Sequence, residues 1–299
     1  LHLAAVPELT RALMERGITA VAFETIQTQD GALPCLMPMS EIAGRMAVQE
    51  GAAYLMFNRG GPGILLGGVP GVPPCEVLVL GAGTAGLNAA RLAAGMDAQV
   101  RIMDINLSRL AYIDEIFSGR ITTIISDEAN IEKYAPEADL LIGAVLLPGE
   151  KAPVLVSEEL VKKMRPGSVI VDISVDQGGC IATTRPTTHE NPVYKIHEVT
   201  HYCVANIPGA VPRTSTQALA NVTFPYLLKI ARDGLEKAVA KDPGIRAGIN
   251  IYTPAGESKG FITNTGVAKA FGLECVPIEK LISGGAGTPA CDRKKKSNK

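Results

Sequence analysis

The chain has 299 residues, 29 Lys plus Arg against 30 Asp plus Glu, and 46% hydrophobic residues. That is enough chain for two domains and apolar enough for a substantial core, while the balanced charge leaves no global field for nucleic acid or an anionic membrane. No apolar run reaches the length of a membrane span, no signal peptide is visible, and the six cysteines and four histidines form no CxxC pair and no metal-ligand spacing, so reduced thiols in a cytoplasmic protein are expected.

Leu1 to Ala5 reads as the end of a strand, so the chain starts as a fragment would. Pro7 to Arg16 reads as a helix with Pro at its first position and Gly17 closing it. Ile18 to Glu24 is an apolar strand, and 28–31 a turn. Ser40 is a good N-cap for a helix reaching about Phe57. A loop rich in Gly and Pro, 58–74, then leads into the next domain.

From Glu76 strands and helices alternate. The pattern predicts strands at 76–80, 98–103, 120–125, 138–145 and 167–173, with helices at 86–95, 107–116, 128–134 and 157–164. Continuous apolar strands in repeated βα units imply an α/β fold, a Rossmann-type doubly wound parallel sheet. After Pro212 helical periodicity runs from Thr214 to about Ala240, interrupted at Gly234, and a last helix covers 266–271. The predicted domains are therefore a partial substrate domain over 1–37, a dinucleotide-binding domain over 38–211 and a helical return to the first over 212–282. A disordered basic tail over 283–299 carries the run Arg293 to Lys296.

The first βα turn carries the chemistry. Val77 to Leu80 enters Gly81-Ala82-Gly83-Thr84-Ala85-Gly86, a GxGxxG turn, and a helix-forming run leaves it. Gly81 permits the tight turn, Gly83 lets backbone approach a pyrophosphate, and Gly86 lets the helix pack on the strand. The helix N-terminus offers N–H groups, Thr84 and Ala85 among them, and the positive dipole end to phosphates. Asp104, 18 residues past Gly86, is placed to accept hydrogen bonds from ribose hydroxyls and to repel a 2′-phosphate, which favours NAD over NADP. Arg109, one turn into the next helix, is within reach of a phosphate but reads rather as a solvated helix residue.

Ligands of such folds bind at the carboxyl ends of the strands. There Ser126 either touches the adenine side or caps the helix that follows it. Asp176, a few residues past a buried strand, faces the nicotinamide half and is placed to relay a proton, or is a turn Asp bound to its own backbone. Asp172, inside the strand, reads as a satisfied structural acid. Asn206 ends another apolar strand, where its amide serves the cofactor or simply the turn. His2 is a lone histidine at a strand end.

The segments Ser40 to Met46, Gly67 to Val72, Asp172 to Cys180, Arg185 to His189 and Tyr202 to Thr216 together resemble the NAD-dependent L-alanine dehydrogenases, and the resemblance covers Leu1 to about Pro277. It implies oxidative deamination of L-alanine to pyruvate and ammonium, the reverse reductive amination, and a hexamer of two-domain subunits. It makes His2 the histidine that contacts the substrate oxygen and Asp176 the catalytic acid. Ser40, Asp104, Ser126 and Asn206 match positions that hold NAD, and the backbone of Val145 and Leu146 lies along its nicotinamide side. Ile207 stands where a Met is usual. The longer leading segment of the family, with an Arg and a Lys for the substrate, has no counterpart here. That departure keeps open a non-catalytic NAD-binding chain, and the shared fold a transhydrogenase-like subunit. His2 together with Asp176 disfavours the latter.

Overall fold

The structure, a computed structural model, describes residues 1, 3–145 and 152–282. Two compact units are present, one built from 1–36 with the segment from 221 onward, the other from 37–220.

The first unit opens with a 3-10 turn at Leu3–Ala5, not a strand end. Five residues cannot pair as a strand without a neighbour, and Leu3 is instead buried in a cluster with Ile251 and Val267. Helix α1 (Pro7–Glu15) has Pro at its first position, and Gly17 beyond its end has φ +62°. Of the apolar run 18–24 only Ala20–Val21 is a strand, β1, after which the chain coils into a 3-10 turn at Phe23–Thr25.

The second unit begins with α2 (Met37–Tyr54). Ser40 lies inside its first turn rather than capping it, because Pro38 fits a helical first turn where no N–H is needed. The helix stops short of Phe57, which lies in a separate 3-10 turn. Then follow β2 (Glu76–Leu80), α3 (Thr84–Gly95), β3 (Gln99–Asp104), α4 (Leu107–Phe117), β4 (Ile121–Ile125), α5 (Glu128–Tyr134), β5 (Leu140–Gly143), α6 (Glu158–Val161) and β6 (Val169–Asp172). A hairpin of β7 (Val193–Ile196) and β8 (Val199–Tyr202) completes the sheet. Its order is β4-β3-β2-β5-β6-β8-β7, parallel except for β7. Residues alternate between its two covered faces. Val77, Val79, Leu140 and Ile142 pack with α2 and α3 residues such as Ala47 and Ala89, while Leu78, Leu80 and Leu141 pack with Ile131 and Leu160 of α5 and α6. Both faces being buried is what a continuous apolar strand requires.

Helix α7 (Pro212–Asp233) carries the chain out of this unit, so the boundary falls within the helix, at 220/221, not at its start. It ends at Gly234, φ +78°. The returning segment is not wholly helical. After α8 (Leu235–Lys241) and α9 (Pro243–Gly248) come β9 (Ile249–Tyr252) and β10 (Phe261–Ile262), which complete an antiparallel sheet of order β1-β9-β10. Helices α10 (Thr265–Phe271) and α11 (Ile278–Ile282) follow. Strands this short carry too few residues to show a period of two. The expected basic tail, 283–299, lies outside the described residues.

Candidate nucleotide and active site

In the second unit the chain runs outward from β2 to β3 and β4, then returns to β5 on the other side of β2. That reversal makes a topological switch point at the carboxyl ends of β2 and β5, where open α/β sheets bind ligands. The glycine turn occupies it. Gly81 has φ +96°, and a Cβ there would lie 2.6 Å from the Ala144 carbonyl oxygen. A Cβ on Gly86 would lie 1.8 Å from the Gly81 oxygen. Strand, turn and helix are thus closed tightly on each other. Around Gly83 the opposite holds, since a Cβ would meet nothing within 4 Å. Gly83 is also the N-cap of α3 and brings no capping side chain. The first helical bond runs from the Leu87 N–H to the Gly83 oxygen, 2.9 Å. The N–H groups of Thr84, Ala85 and Gly86 therefore have no intrahelical acceptor. Such an open cradle at the positive end of a helix fits the pyrophosphate of a dinucleotide.

Asp104 and Arg109 hold the turn from two sides. Asp104 Oδ2 accepts the Ala82 N–H at 2.7 Å, and its Oδ1 accepts the Asn106 N–H at 2.8 Å. Arg109 Nε donates to the Ala82 carbonyl oxygen at 2.7 Å, and its guanidinium lies over Tyr112, 5.1 Å from the ring centroid. Arg109 is therefore not a merely solvated helix residue. The Ala82 peptide is the part that sequence reasoning missed, since its partners lie on the next strand and helix. Ser126, at the end of β4, donates its N–H to the Asp104 carbonyl at 3.0 Å. It does not cap α5, because Asp127 does so by accepting the Asn130 N–H at 2.8 Å.

Helix α2 crosses α3 where Gly44 meets Ala85, close enough that a Cβ would lie 2.1 Å from the Ala85 oxygen. Ser40 lies one turn earlier on the same face of α2. Arg45 Nε donates to Asn88 Oδ1 at 3.0 Å, and Asn88 Nδ2 to the Thr84 carbonyl at 2.9 Å, which locks the two helices together. Val145 joins from the end of β5, next to the Ala144 that Gly81 touches.

Asp176 and Asn206 stand further along the same sheet edge. Asp176 is exposed in a 3-10 turn, Val175–Gln177, past β6. Asn206 does not end a strand, since β8 stops at Tyr202. It lies four residues on, exposed, in the left-handed region at φ +57°, with its main-chain oxygen accepting the Gly209 N–H at 2.8 Å. Asp172 is fully buried and its burial pushes the carboxyl pKa up, against hydrogen bonds from Thr184, Ser174 and Cys180 that pull it down. Burial also holds the Cys203 thiol up at about 12 and Cys180 well above its ordinary value, so neither is a nucleophile at neutral pH. His2 and Leu146 lie outside the described residues. Among the described residues no group of His, Cys, Asp and Glu could hold a metal, and no helix is long and apolar enough to cross a membrane.

Residues 47–257 match the family model described as alanine dehydrogenase/PNT, C-terminal domain. An alanine dehydrogenase of Methanococcus maripaludis is 54% identical over 284 residues, which is 95% of this chain and 74% of that protein. A solved L-alanine dehydrogenase superposes with a TM-score of 0.86 at 50% identity, covering 91% of this chain and 73% of that one. A transhydrogenase from Sinorhizobium meliloti, 23% identical with a TM-score of 0.67 over 85% of this chain and 72% of its own, shares the fold. With half of its residues shared along nearly its whole length, the chain belongs to the alanine dehydrogenase family.

Proposed function

We propose that the protein is an NAD-dependent L-alanine dehydrogenase, converting L-alanine, NAD⁺ and water to pyruvate, ammonium, NADH and a proton, and running the reverse amination. The observation that carries the reading is the open cradle at Gly83 with three acceptor-free N–H groups, and Asp104 at the end of the adjoining strand. A dinucleotide fits this donor set, and the Asp104 carboxylate disfavours a 2′-phosphate. Ser40, Ser126, Val145, Leu146 and Asn206 would hold the cofactor, as the family resemblance implies, with Arg109 in reach of a phosphate. When bound, NAD supplies the acceptor for the hydride that leaves the substrate Cα.

The chain's own residues do the rest. The α3 N-terminus neutralises phosphate charge, and the tie between Asp104 and Ala82 keeps the glycine turn in its binding shape before the ligand arrives. Asp176 is the proton carrier. Its carboxylate oxygen takes a proton from the substrate amine or the water that adds to the imine carbon, and returns one to the nitrogen that leaves as ammonium. His2 stands by the substrate oxygen, as in the resembling family. A hexamer, also implied by the resemblance, and a cytoplasmic location, which cysteines without a pairing pattern favour, complete the reading. Assay of the purified protein with alanine and NAD tests it. Asp176→Asn should lower turnover by about 10²–10⁴-fold, the range for losing a positioned acid or base, with NAD affinity and melting temperature near wild type. Unchanged turnover would remove Asp176 from the mechanism.

A further inference from the structure

The turn that carries Asp176 hangs at both ends on one buried carboxyl. Asp172, the last residue of β6, has no exposed surface. Its Oδ1 accepts the Ser174 N–H at 2.9 Å, two residues before Asp176. Its Oδ2 accepts the Cys180 N–H at 3.1 Å and the Thr184 hydroxyl at 2.7 Å, both beyond Asp176. No Lys, Arg or His pairs with it among the described residues. An acid buried without a cation is costly, so these three donors, with the Cys180 thiol 3.8 Å from Oδ1 as a weaker fourth, are the reason it is tolerated. An amide would not replace it, because its NH₂ would face an N–H or a hydroxyl hydrogen. The loop closes hard on the pair. Gly179, φ +76°, approaches so near that a Cβ would lie 2.4 Å from Thr184 Oγ1 and 2.9 Å from Asp172 Oδ2. Thr184 Oγ1 also lies 2.8 Å from the Ile181 carbonyl, so its one hydrogen has two acceptors, and the hydroxyl ties the carboxyl to the outgoing chain.

We infer that Asp172 and Thr184 are positioning residues that set the Asp176 carboxylate for proton transfer. This rests on the reading of Asp176 as the proton carrier. Asp176 itself lies exposed in a single 3-10 turn, followed by Gly178 and Gly179, both at positive φ. Such a segment has little stiffness of its own. Fixing its two ends to one rigid strand terminus removes the freedom that would misplace the carboxylate, and a displacement of about 1 Å can cost about 100-fold in rate. A purely stabilising role would instead appear in melting temperature and not in turnover.

A double-mutant cycle on the intact protein separates the two. Thr184→Val keeps the shape and deletes the hydroxyl. It should lower kcat for alanine oxidation by about 10- to 100-fold, with KM for alanine and Kd for NAD within about twofold, and Thr184→Ser should restore kcat. In an Asp176→Asn background the same substitution should change the residual kcat by less than about twofold, because the group being positioned is gone. Equal losses in both backgrounds, an unchanged kcat, or a loss confined to NAD affinity would each overturn the inference. Should the valine variant fail to fold, Thr184→Ala, which adds no bulk, runs the same cycle. If Asp176→Asn alone leaves kcat intact, the reading of Asp176 fails and this inference with it. If Asp176→Asn is slow and Thr184→Val is not, only this inference fails.

Discussion

Asp104 commits one oxygen to the Ala82 N–H and the other to the Asn106 N–H, so it shapes the glycine turn whatever its part in cofactor choice. Its removal should act twice. Asp104→Ala relieves repulsion of a 2′-phosphate and loosens the turn, so NAD should bind more weakly and NADP more tightly. The ratio of the two dissociation constants should fall at least about 10-fold, or about 1.4 kcal/mol. Fluorescence titration of both cofactors measures this, and an unchanged ratio would show that Asp104 does not select the cofactor.

His201 offers a test at the same scale but of stability. It is fully buried, with Nδ1 3.0 Å from the Val199 carbonyl and Nε2 2.7 Å from Thr183 Oγ1. A carbonyl only accepts, so Nδ1 carries the hydrogen and Nε2 accepts from the threonine, which fixes the neutral tautomer. Burial pushes the imidazole pKa down. Below the ordinary value of about 6.5 the unfolded chain binds a proton that the folded chain refuses. Stability is therefore fully present above that pH and is lost as pH falls toward the folded value, by up to about 1.4 kcal/mol per pH unit. Urea unfolding at pH 7.5 and 5.5 should show a drop that is smaller in His201→Gln. Parallel pH dependences for the two proteins would contradict this.

At the scale of elements, the hairpin of β7 and β8 is joined by His197 and Glu198 with φ of +52° and +62°. Two central residues at positive φ are the type I′ turn, which asks for Asn-Gly. Each non-glycine residue there costs about 1 kcal/mol or more. The 2.8 Å contact from His197 Nε2 to Glu158 is exposed and returns little. His197→Asn with Glu198→Gly should therefore stabilise the fold by about 1 kcal/mol net, a rise of a few degrees in melting temperature for a chain of this size. A lower melting temperature would mean that the ion pair outweighs the turn. This hairpin also shows where reading the sequence stops. His-Glu carries no turn chemistry, so the segment 193–202 gives no hairpin signal. The βα units from β2 to β6 were legible because strands buried on both faces are continuous apolar runs, and the helices between them carry caps and breakers. The start of α2 at Met37 and the 3-10 turn at Leu3–Ala5 were not, because a proline in a first turn and a leucine buried by distant strands leave no local mark. The glycine turn and Asp104 stand in the sequence at a spacing fixed by the fold. The partners of Ala82, and the brace from Asp172 to Thr184, exist only after the strands are assembled.

For the whole molecule the open question is assembly. Helix α7 has 22 residues and none of them is buried. Phe224, Leu227 and Leu228 are 57%, 60% and 52% exposed, and their spacing of three and four places them on one face. A cluster of large apolar side chains left in water is a surface of the kind that subunit contacts use. Burying each against a second copy would contribute about 1.5–3 kcal/mol, enough for three such side chains to matter in a subunit contact. A hexamer that uses α7 should therefore break down when this face is charged. Sedimentation velocity of Phe224→Asp with Leu227→Glu should show a species smaller than the wild-type assembly, with far-UV circular dichroism unchanged, since these side chains contribute nothing to the monomer's core. A variant that sediments with wild type would place the subunit contacts elsewhere on the molecule, and α7 would then be a bare connector between the two units.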